Sequence, residues 1–250
     1  MKRLLSFVLF LTLLLASFAA SADPLVLAED LADKLEEPYD ESDPSAGVFS
    51  YSYRYPQLNE EGDGAEDINY FFQDLVSYDL DFTVPIIQDG HEGQNCTIMI
   101  TYTVKCNNDD FFSVLIRNEE HSPDGDKLSY RGDNFLRSDL NPGYTSPLTH
   151  ILGLLDPQET DEWLEGRQSD KVNRIILDMV WNRIEENEAG IIYNTGLTKE
   201  SLSHSFFPNE HFYMDENGDP VFFLQPGLAA DESYGLLLFP IPLEDIEDEL

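Results

Sequence analysis

The amino-acid sequence predicts an α+β fold, in which an antiparallel β-sheet has two or three amphipathic helices packed on one face. Strand-forming segments rich in β-branched and aromatic residues occur in groups, at 48–55, 97–117 and 206–243. Two intervening segments, 65–78 and 169–187, have apolar residues at helical spacing instead. Grouped strands without a regular βαβ alternation favour an antiparallel sheet covered by helices on one face.

The first 22 residues have the features of a secretory signal peptide. Lys2 and Arg3 precede an apolar run, and the small residues at 20–22 form a cleavage site before Asp23. An uncleaved anchor is the alternative, because the apolar run is marginally long enough to span a bilayer. Cleavage is favoured, and the mature protein is expected to be secreted to the cell envelope without a membrane segment.

The segment that follows the signal, 23–46, is rich in Asp, Glu, Pro, Ala and Ser. This composition predicts a flexible acidic leader, with one short helix around 31–35. The residues at 47–250 are then expected to form a single α+β domain.

Two helices are predicted from their apolar stripes. The stripe of the helix at 65–78 consists of Ile68, Phe71, Phe72, Leu75 and Val76. The stripe of the helix at 169–187 consists of Val172, Ile175, Ile176, Met179, Val180 and Ile184. Both stripes should pack on the sheet, and Thr198 is expected to cap a further helical turn.

The two cysteines, Cys96 and Cys106, lie at the ends of one predicted strand. Ten residue steps of strand hold two Cα atoms about 33 Å apart, whereas a disulfide needs a separation of about 5.5 Å. We therefore predict that these cysteines do not form an intramolecular disulfide, although an exported protein would permit one.

The closing segment contains two strands, at 221–224 and 236–241, that are apolar on both alternations. Such strands are typical of sheet that is buried on both faces. The loop between them, 225–235, is the best candidate for a binding site, because loops held by a rigid sheet are a usual place for function.

The charge of the chain limits the partners that it can have. The sequence contains 49 acidic and 14 basic residues, for a formal net charge of −35. This charge repels nucleic acid and anionic lipid and attracts cationic proteins or divalent cations. Solubility alone is an equally good explanation of the acidity.

The sequence contains no motif that supports nucleophilic, nucleotide or zinc chemistry, so no cofactor and no metal site are predicted. The acidic segment 215–219 resembles the start of a calcium loop, but its glycine falls at the wrong place, and a hairpin turn is favoured. The tripeptide Arg131-Gly132-Asp133 is interpreted as a turn between short strands at 127–130 and 134–140 rather than as an adhesion signal.

Several segments resemble, in order and spacing, the extracellular domain of the lysozyme-receptor anti-sigma-V factor, which also accompanies some peptidoglycan deacetylases. These segments are Tyr55-Pro56-Gln57-Leu58, Ile68-Asn69, Phe112-Ser113-Val114, Phe135 to Gly143 and Phe222 to Pro242. The resemblance covers 48–250 and implies a non-catalytic envelope domain. Neither the sigma-binding portion nor the deacetylase domain is expected here, so those activities are not implied.

The combined expectation is a binding domain whose partner is a cationic protein such as lysozyme, or else a cell-wall glycan. The predicted ligand-binding residues are Pro226, Asp231, Glu232 and Tyr234 in the loop, with Ser113 as a weaker candidate. A hydrolase that acts on wall polymer through two carboxylates is the alternative. A structural surface protein stabilised by divalent cations is the third possibility.

Overall fold

The computed structural model confirms the α+β class, with strands in two sheets and helices packed against them. It describes residues 24–39, 42–43, 47–59, 64–138, 140, 144–155 and 162–250, with the backbone alone at 162 and 163. The predicted signal peptide lies outside these described residues. Among the described residues, no helix is long and apolar enough to cross a membrane.

The larger sheet contains five strands that lie side by side in chain order. They are β1 (Leu31–Pro38), β2 (Val48–Tyr55), β3 (Cys96–Asn107), β4 (Phe111–Ser122) and β5 (Gly125–Leu136). All neighbours are antiparallel except β2 and β3, which are parallel. The parallel pair departs from the predicted antiparallel sheet, because the helical segment between these strands acts as a crossover connection.

The strand β1 corrects the prediction of a flexible leader with a short helix. It pairs with β2 along its whole length, from Leu31 opposite Tyr55 to Pro38 opposite Val48. Only Leu31 and Leu35 pack against the core, and the other residues of the strand, Asp33, Glu36 and Glu37 among them, face solvent. The acidic composition is that of a protected sheet edge, where charged side chains and proline hinder pairing with another chain.

One face of the five-stranded sheet is covered by a helical segment. Helix α1 (Ala65–Tyr78) continues through a π-helical turn (Asp79–Thr83) into helix α2 (Val84–Gly90). The predicted stripe of α1 is confirmed, since Ile68, Phe72 and Val76 are buried. The sheet side chains beneath this segment are Phe49, Tyr51, Tyr55, Ile98, Ile100, Phe112, Val114, Ile116 and Phe135.

The second sheet has three strands in the order β6 (Phe212–Met214), β7 (Pro220–Leu224) and β8 (Leu237–Pro240). The helices associated with it are α3 (Leu148–Ile151), α4 (Glu162–Glu186), α5 (Lys199–Ser203) and α6 (Leu243–Glu249). The prediction for α4 is confirmed, with Val172, Ile176, Val180 and Ile184 buried. Thr198 caps α5 by accepting a hydrogen bond from the Ser201 N–H, as expected.

The two apolar strands of the closing segment differ in burial. Every residue of β7 is buried, which confirms the predicted burial on both faces. In β8, Leu237 and Phe239 are buried, but Leu238 is 50% exposed. The prediction of two-sided burial is therefore wrong for β8, because the face of this strand that carries Leu238 is exposed to solvent.

The strand predicted between the two cysteines is confirmed as β3. Cys96 and Cys106 are both buried and are not bonded to each other. Burial raises the pKa of both thiols, that of Cys106 to about 11. Both side chains are thus small apolar groups in the core rather than reactive thiolates.

The two sheets meet where β6 crosses the face of β4 and β5 opposite to the helices. The Met214 N–H donates to the Ser113 Oγ at 3.0 Å and to the Asn134 Oδ1 at 3.1 Å. The Asn134 Nδ2 donates to the Phe212 carbonyl at 3.1 Å, and the Ser113 hydroxyl donates to the Asn134 Oδ1 at 2.6 Å. We call this group, together with Gly132, the sheet junction.

Position 132 requires glycine because of the sheet junction and not because of a turn. It lies within the continuous strand β5, so the predicted break between 127–130 and 134–140 is wrong. A Cβ atom at this position would lie 1.7 Å from the Phe212 carbonyl oxygen. The flanking Arg131 and Asp133 are paired with each other, and Asp133 is buried. The tripeptide is therefore not presented as an adhesion signal.

His211, which precedes β6, makes the stability of the small sheet depend on pH. Its ring lies between the rings of Phe206 and Phe223, at centroid distances of 6.0 and 5.7 Å. Burial lowers the pKa of His211 below its ordinary value. The unfolded chain then binds a proton near pH 6.5, whereas the folded chain does so only at lower pH. The stability that the neutral ring contributes is lost as the pH falls through this window.

We expect a His211→Phe variant to show a smaller loss of stability than the unsubstituted protein when the pH falls from 7.5 to 5.5. The measurement is the urea midpoint at each pH, compared as a difference because the many carboxylates also titrate. His204→Phe is the control, since the His204 ring is exposed. Equal pH dependence in all three proteins would contradict the assignment.

Candidate binding surface

The candidate loop, 225–235, is held at its first residue by β5. The Gln225 Oε1 accepts a hydrogen bond from the Tyr130 N–H at 2.9 Å, and the Gln225 Nε2 donates to the Tyr130 carbonyl at 2.6 Å. Gly227 then turns the chain with a φ of +79°. This backbone conformation strains a residue with a Cβ atom, and a Cβ here would also lie 2.9 Å from the Glu232 Cγ.

The middle of the loop is held by the segment before α5. The Asn194 N–H donates to the Ala229 carbonyl at 2.8 Å, and the Asn194 side-chain amide lies within hydrogen-bond distance of the Gly227 and Leu228 carbonyls. Ala229 and Ala230 are buried. The loop is therefore a packed element whose shape is fixed by hydrogen bonds at several points.

The exposed end of the loop presents the residues that the sequence singled out. The Asp231 Oδ1 accepts from the Ser233 N–H at 2.9 Å and so caps a short 3-10 helix, Glu232–Tyr234. Hydrogen bonds from Ser233 lower the pKa of Asp231, so this side chain is a carboxylate. The Tyr234 hydroxyl accepts from the Ile192 N–H at 3.3 Å. Tyr234 is 43% exposed, and Ile192 is 76% exposed.

A groove of about 380 Å³ separates the loop from the end of the β4–β5 hairpin. Pro226 and Glu232 form one side of it. The other side is formed by Glu119, His121, Asp126, Lys127 and Leu128. We call this feature the hairpin–loop groove.

The charges at this end of the molecule are predominantly negative. Arg117 Nη1 lies 2.6 Å from Glu119 Oε1, and the Lys127 ammonium donates to Glu120 at 2.8 Å. These two cationic side chains are outnumbered by the carboxylates of the hairpin end and the loop, which are Glu119, Glu120, Asp124, Asp126, Asp231 and Glu232. The hairpin end and the loop together therefore favour a cationic group.

The predicted site residues are only partly brought together. Pro226 and Glu232 line the hairpin–loop groove, and Asp231 and Tyr234 are exposed beside Glu232 on the same loop. Ser113 is fully buried, and its hydroxyl is used within the sheet junction. The structure therefore places Ser113 away from any ligand surface, because a small polar residue in an apolar strand here joins two sheets.

The sequence does not predict that the β4–β5 hairpin forms part of the candidate site. Its tip is dense in charge, from Glu119 to Lys127, but this density is common along the chain. Only the packing of the second sheet against β5 brings the hairpin to the loop, about a hundred positions later in sequence.

Residues 215–219 form the turn between β6 and β7, as predicted. The Asp215 Oδ1 accepts hydrogen bonds from the backbone N–H groups of Asn217 and Asp219, at 2.8 and 3.1 Å. In the part of the chain that the structure describes, no group of three or more His, Cys, Asp or Glu side chains is arranged to hold a metal ion.

The chain resembles known proteins in its structure and not in its sequence. No family model matches the sequence, and no curated protein matches it. A crystal structure of a DUF3298 family member from Bacteroides fragilis is similar over 90% of this chain and 94% of its own, with a TM-score of 0.53 and 14% identity. A crystal structure of a DUF3298 family protein from Pseudomonas aeruginosa is also similar over 90% of this chain and 94% of its own, with a TM-score of 0.46 and 12% identity.

At 14% identity, the similarity to the Bacteroides fragilis protein shows the fold alone. The protein is similar in fold to a member of a family that is described by its domain number and not by an activity. The resemblance to the anti-sigma-V factor stays a prediction.

Proposed function

We propose that this chain is a non-catalytic binding domain of the cell envelope and that the hairpin–loop groove and its rim bind a cationic protein, with lysozyme as the first candidate. The observation that supports this proposal is the excess of carboxylates on a loop that is held by hydrogen bonds at its first residue and in its middle. The partner would place a lysine or arginine side chain in the groove.

Electrostatics would favour such a complex in two ways. The net charge of −35 steers a basic partner toward the protein over long range. The carboxylates around the groove would then select the orientation in which a basic patch faces the loop. Both contributions weaken as salt screens the charges.

The shape of the loop would favour affinity as well. Its hydrogen bonds to Tyr130 and Asn194 hold it in one conformation before a partner arrives. A preformed surface loses less conformational entropy on binding. The exposed Tyr234 ring beside the carboxylates is a residue type that is enriched at the centres of protein interfaces.

The hydrolase alternative would need two carboxyl groups that act as acid and base or nucleophile. Glu119 and Glu232 do line the same groove. Glu119, however, lies against the Arg117 guanidinium, and Glu232 is exposed to solvent. A general acid is usually found in apolar surroundings, so this environment supports binding rather than hydrolysis.

We expect the double variant Asp231→Asn, Glu232→Gln to bind lysozyme about tenfold or more weakly than the unsubstituted protein, because it loses two carboxylates next to the cationic partner. Asparagine can still cap the 3-10 helix, so the loop should keep its shape. Isothermal titration calorimetry at low and at physiological salt measures the affinity.

The matched control is Glu247→Gln, Asp248→Asn, which changes the net charge equally on the exposed face of α6. It should bind nearly as the unsubstituted protein does. An absence of heat at both salt concentrations would remove the lysozyme proposal. Equal weakening in both double variants would assign the attraction to net charge and not to the loop. Heat with soluble wall-glycan fragments alone would identify the glycan as the ligand instead.

A further inference from the structure

A second concave site lies on the face of the five-stranded sheet that the helices cover. Where the π-helical turn and α2 pass over the sheet, they leave a cleft of about 290 Å³. Its floor is aliphatic and consists of Ile98, Ile100 and Ile116, all of which are buried. The cleft shares no lining residue with the hairpin–loop groove.

One wall of the cleft carries a negative charge. Asp79 is the first residue of the π-helical turn and lines the cleft. Its Oδ2 accepts a hydrogen bond from the Tyr51 hydroxyl at 3.3 Å. Turns of π-helix are rare and occur frequently at functional sites.

Another residue that lines the cleft, Arg131, carries a positive charge. The Arg131 Nε and Nη2 donate to the two carboxylate oxygens of Asp133, at 2.7 and 2.9 Å. The Asp133 side chain is 3% exposed, whereas that of Arg131 is 45% exposed and lines the cleft. A guanidinium has five N–H groups; the pair with Asp133 occupies two of them, and the Tyr55 hydroxyl is a further hydrogen-bond partner. The remaining N–H groups can donate to a ligand. The guanidinium is thus fixed from behind by a buried carboxylate.

The charges of Asp79 and Arg131 interact with each other. Burial alone would lower the pKa of Arg131, but the neighbouring Asp133, Tyr55 and Asp79 outweigh it and raise that pKa. Burial also raises the pKa of Tyr51 and Tyr55, with a further contribution from Asp79. The cleft therefore offers a cation, an anion and two uncharged phenol hydroxyls, and its lining also includes Thr83, Asn118 and Ser129.

We propose that this cleft binds a small zwitterion with an apolar body, namely a free α-amino acid with an aliphatic side chain. The ligand carboxylate accepts hydrogen bonds from Arg131, which has the planar geometry for carboxylates. The ligand ammonium pairs with Asp79. The aliphatic side chain lies on the isoleucine floor.

Size and lining both favour this ligand class. The volume lies near the lower end of the range for small-molecule sites, about 300 Å³, which suits one amino acid. A neutral monosaccharide would cover the aliphatic floor with hydroxyl groups that find no hydrogen-bond partner there. A simple anion would use Arg131 but would be repelled by Asp79.

Calorimetry with leucine, N-acetylleucine, leucinamide and N-acetylglucosamine tests the proposal. Leucine should bind, and each blocked derivative should bind about tenfold or more weakly, because one charged hydrogen-bonded contact is lost in each. Absence of binding by leucine and by other aliphatic amino acids would overturn the proposal. Tighter binding of N-acetylglucosamine than of leucine would also overturn it.

Two single substitutions test whether Asp79 binds the ammonium group of the ligand. Asp79→Asn should weaken the binding of leucine about tenfold or more, whereas it should not weaken that of N-acetylleucine, an anion that Asp79 repels. The control Asp81→Asn makes the same charge change on an exposed residue of the same turn. Equal effects of the two substitutions on leucine binding would overturn the assignment. Lysozyme binding should not change in either variant, so this result is independent of the loop proposal.

Discussion

Gly132→Ala is expected to lower the free energy of unfolding by about 3 kcal/mol or more. The added Cβ would lie 1.7 Å from the Phe212 carbonyl oxygen and 2.7 Å from its carbonyl carbon. Both atoms are backbone, so no side-chain rotation relieves the overlap. The small sheet would have to move away from β5, and the hydrogen bonds of the sheet junction would be lost with it.

Urea denaturation followed by circular dichroism measures this effect. Gly166→Ala is the matched control, because Gly166 lies in α4 and a Cβ there meets no atom within 4 Å. That substitution should stabilise the protein by up to about 1 kcal/mol, since alanine favours the helix. A Gly132→Ala variant as stable as the unsubstituted protein would show that β6 does not cross β5 at this point.

Asn134→Ala is expected to be the next most destabilising change, by about 3 kcal/mol. Asn134 is 2% exposed, and its amide serves three groups across the sheet junction. Alanine would leave the Phe212 carbonyl without this donor and the Ser113 hydroxyl without this acceptor, and the Met214 N–H would keep only the Ser113 Oγ. Buried polar groups without partners cost more than the bond that is removed.

The same denaturation measurement applies, with Asn217→Ala as the control on an exposed turn. That variant should lie within about 0.5 kcal/mol of the unsubstituted protein. Ser113→Ala should fall between the two, because the Met214 N–H keeps Asn134 as an acceptor. If Asn134→Ala and Asn217→Ala were equally mild, the sheet junction would not be the link between the two sheets.

The elements that the sequence predicted well are those with a local cause. The stripe that includes Ile68 and Phe72 defines one face of α1 without reference to any other part of the chain. The apolar run of β7 predicts burial on both faces for a similar reason. Local patterns of this kind predicted the α+β class.

The elements that the sequence did not predict depend on distant partners. The strand β1 has the composition of a solvated segment, because only Leu31 and Leu35 contact the core and the rest is an exposed sheet edge. Its strand conformation comes from hydrogen bonds to β2, which no local pattern reveals. The parallel pairing of β2 with β3 has a tertiary cause too, since it follows from the helical crossover.

The candidate site divides in the same way. The loop with Asp231 and Glu232 could be found because it interrupts two apolar strands. Ser113 was misplaced, because its sequence neighbours do not reveal that β6 crosses above it. That Asp79 and Arg131 line one cleft could not be predicted either, since these residues lie on different elements and come together only where the helical segment covers the sheet.

Hydrogen–deuterium exchange of the protein, with and without lysozyme, tests the central proposal most directly. We expect slower exchange at 225–235 and at 117–128, the two sides of the hairpin–loop groove, and unchanged exchange in α6. Physiological salt should reduce this protection without moving it, because screening weakens the attraction. Protection confined to other segments, or no protection at low salt, would contradict the proposal that this groove binds a cationic protein.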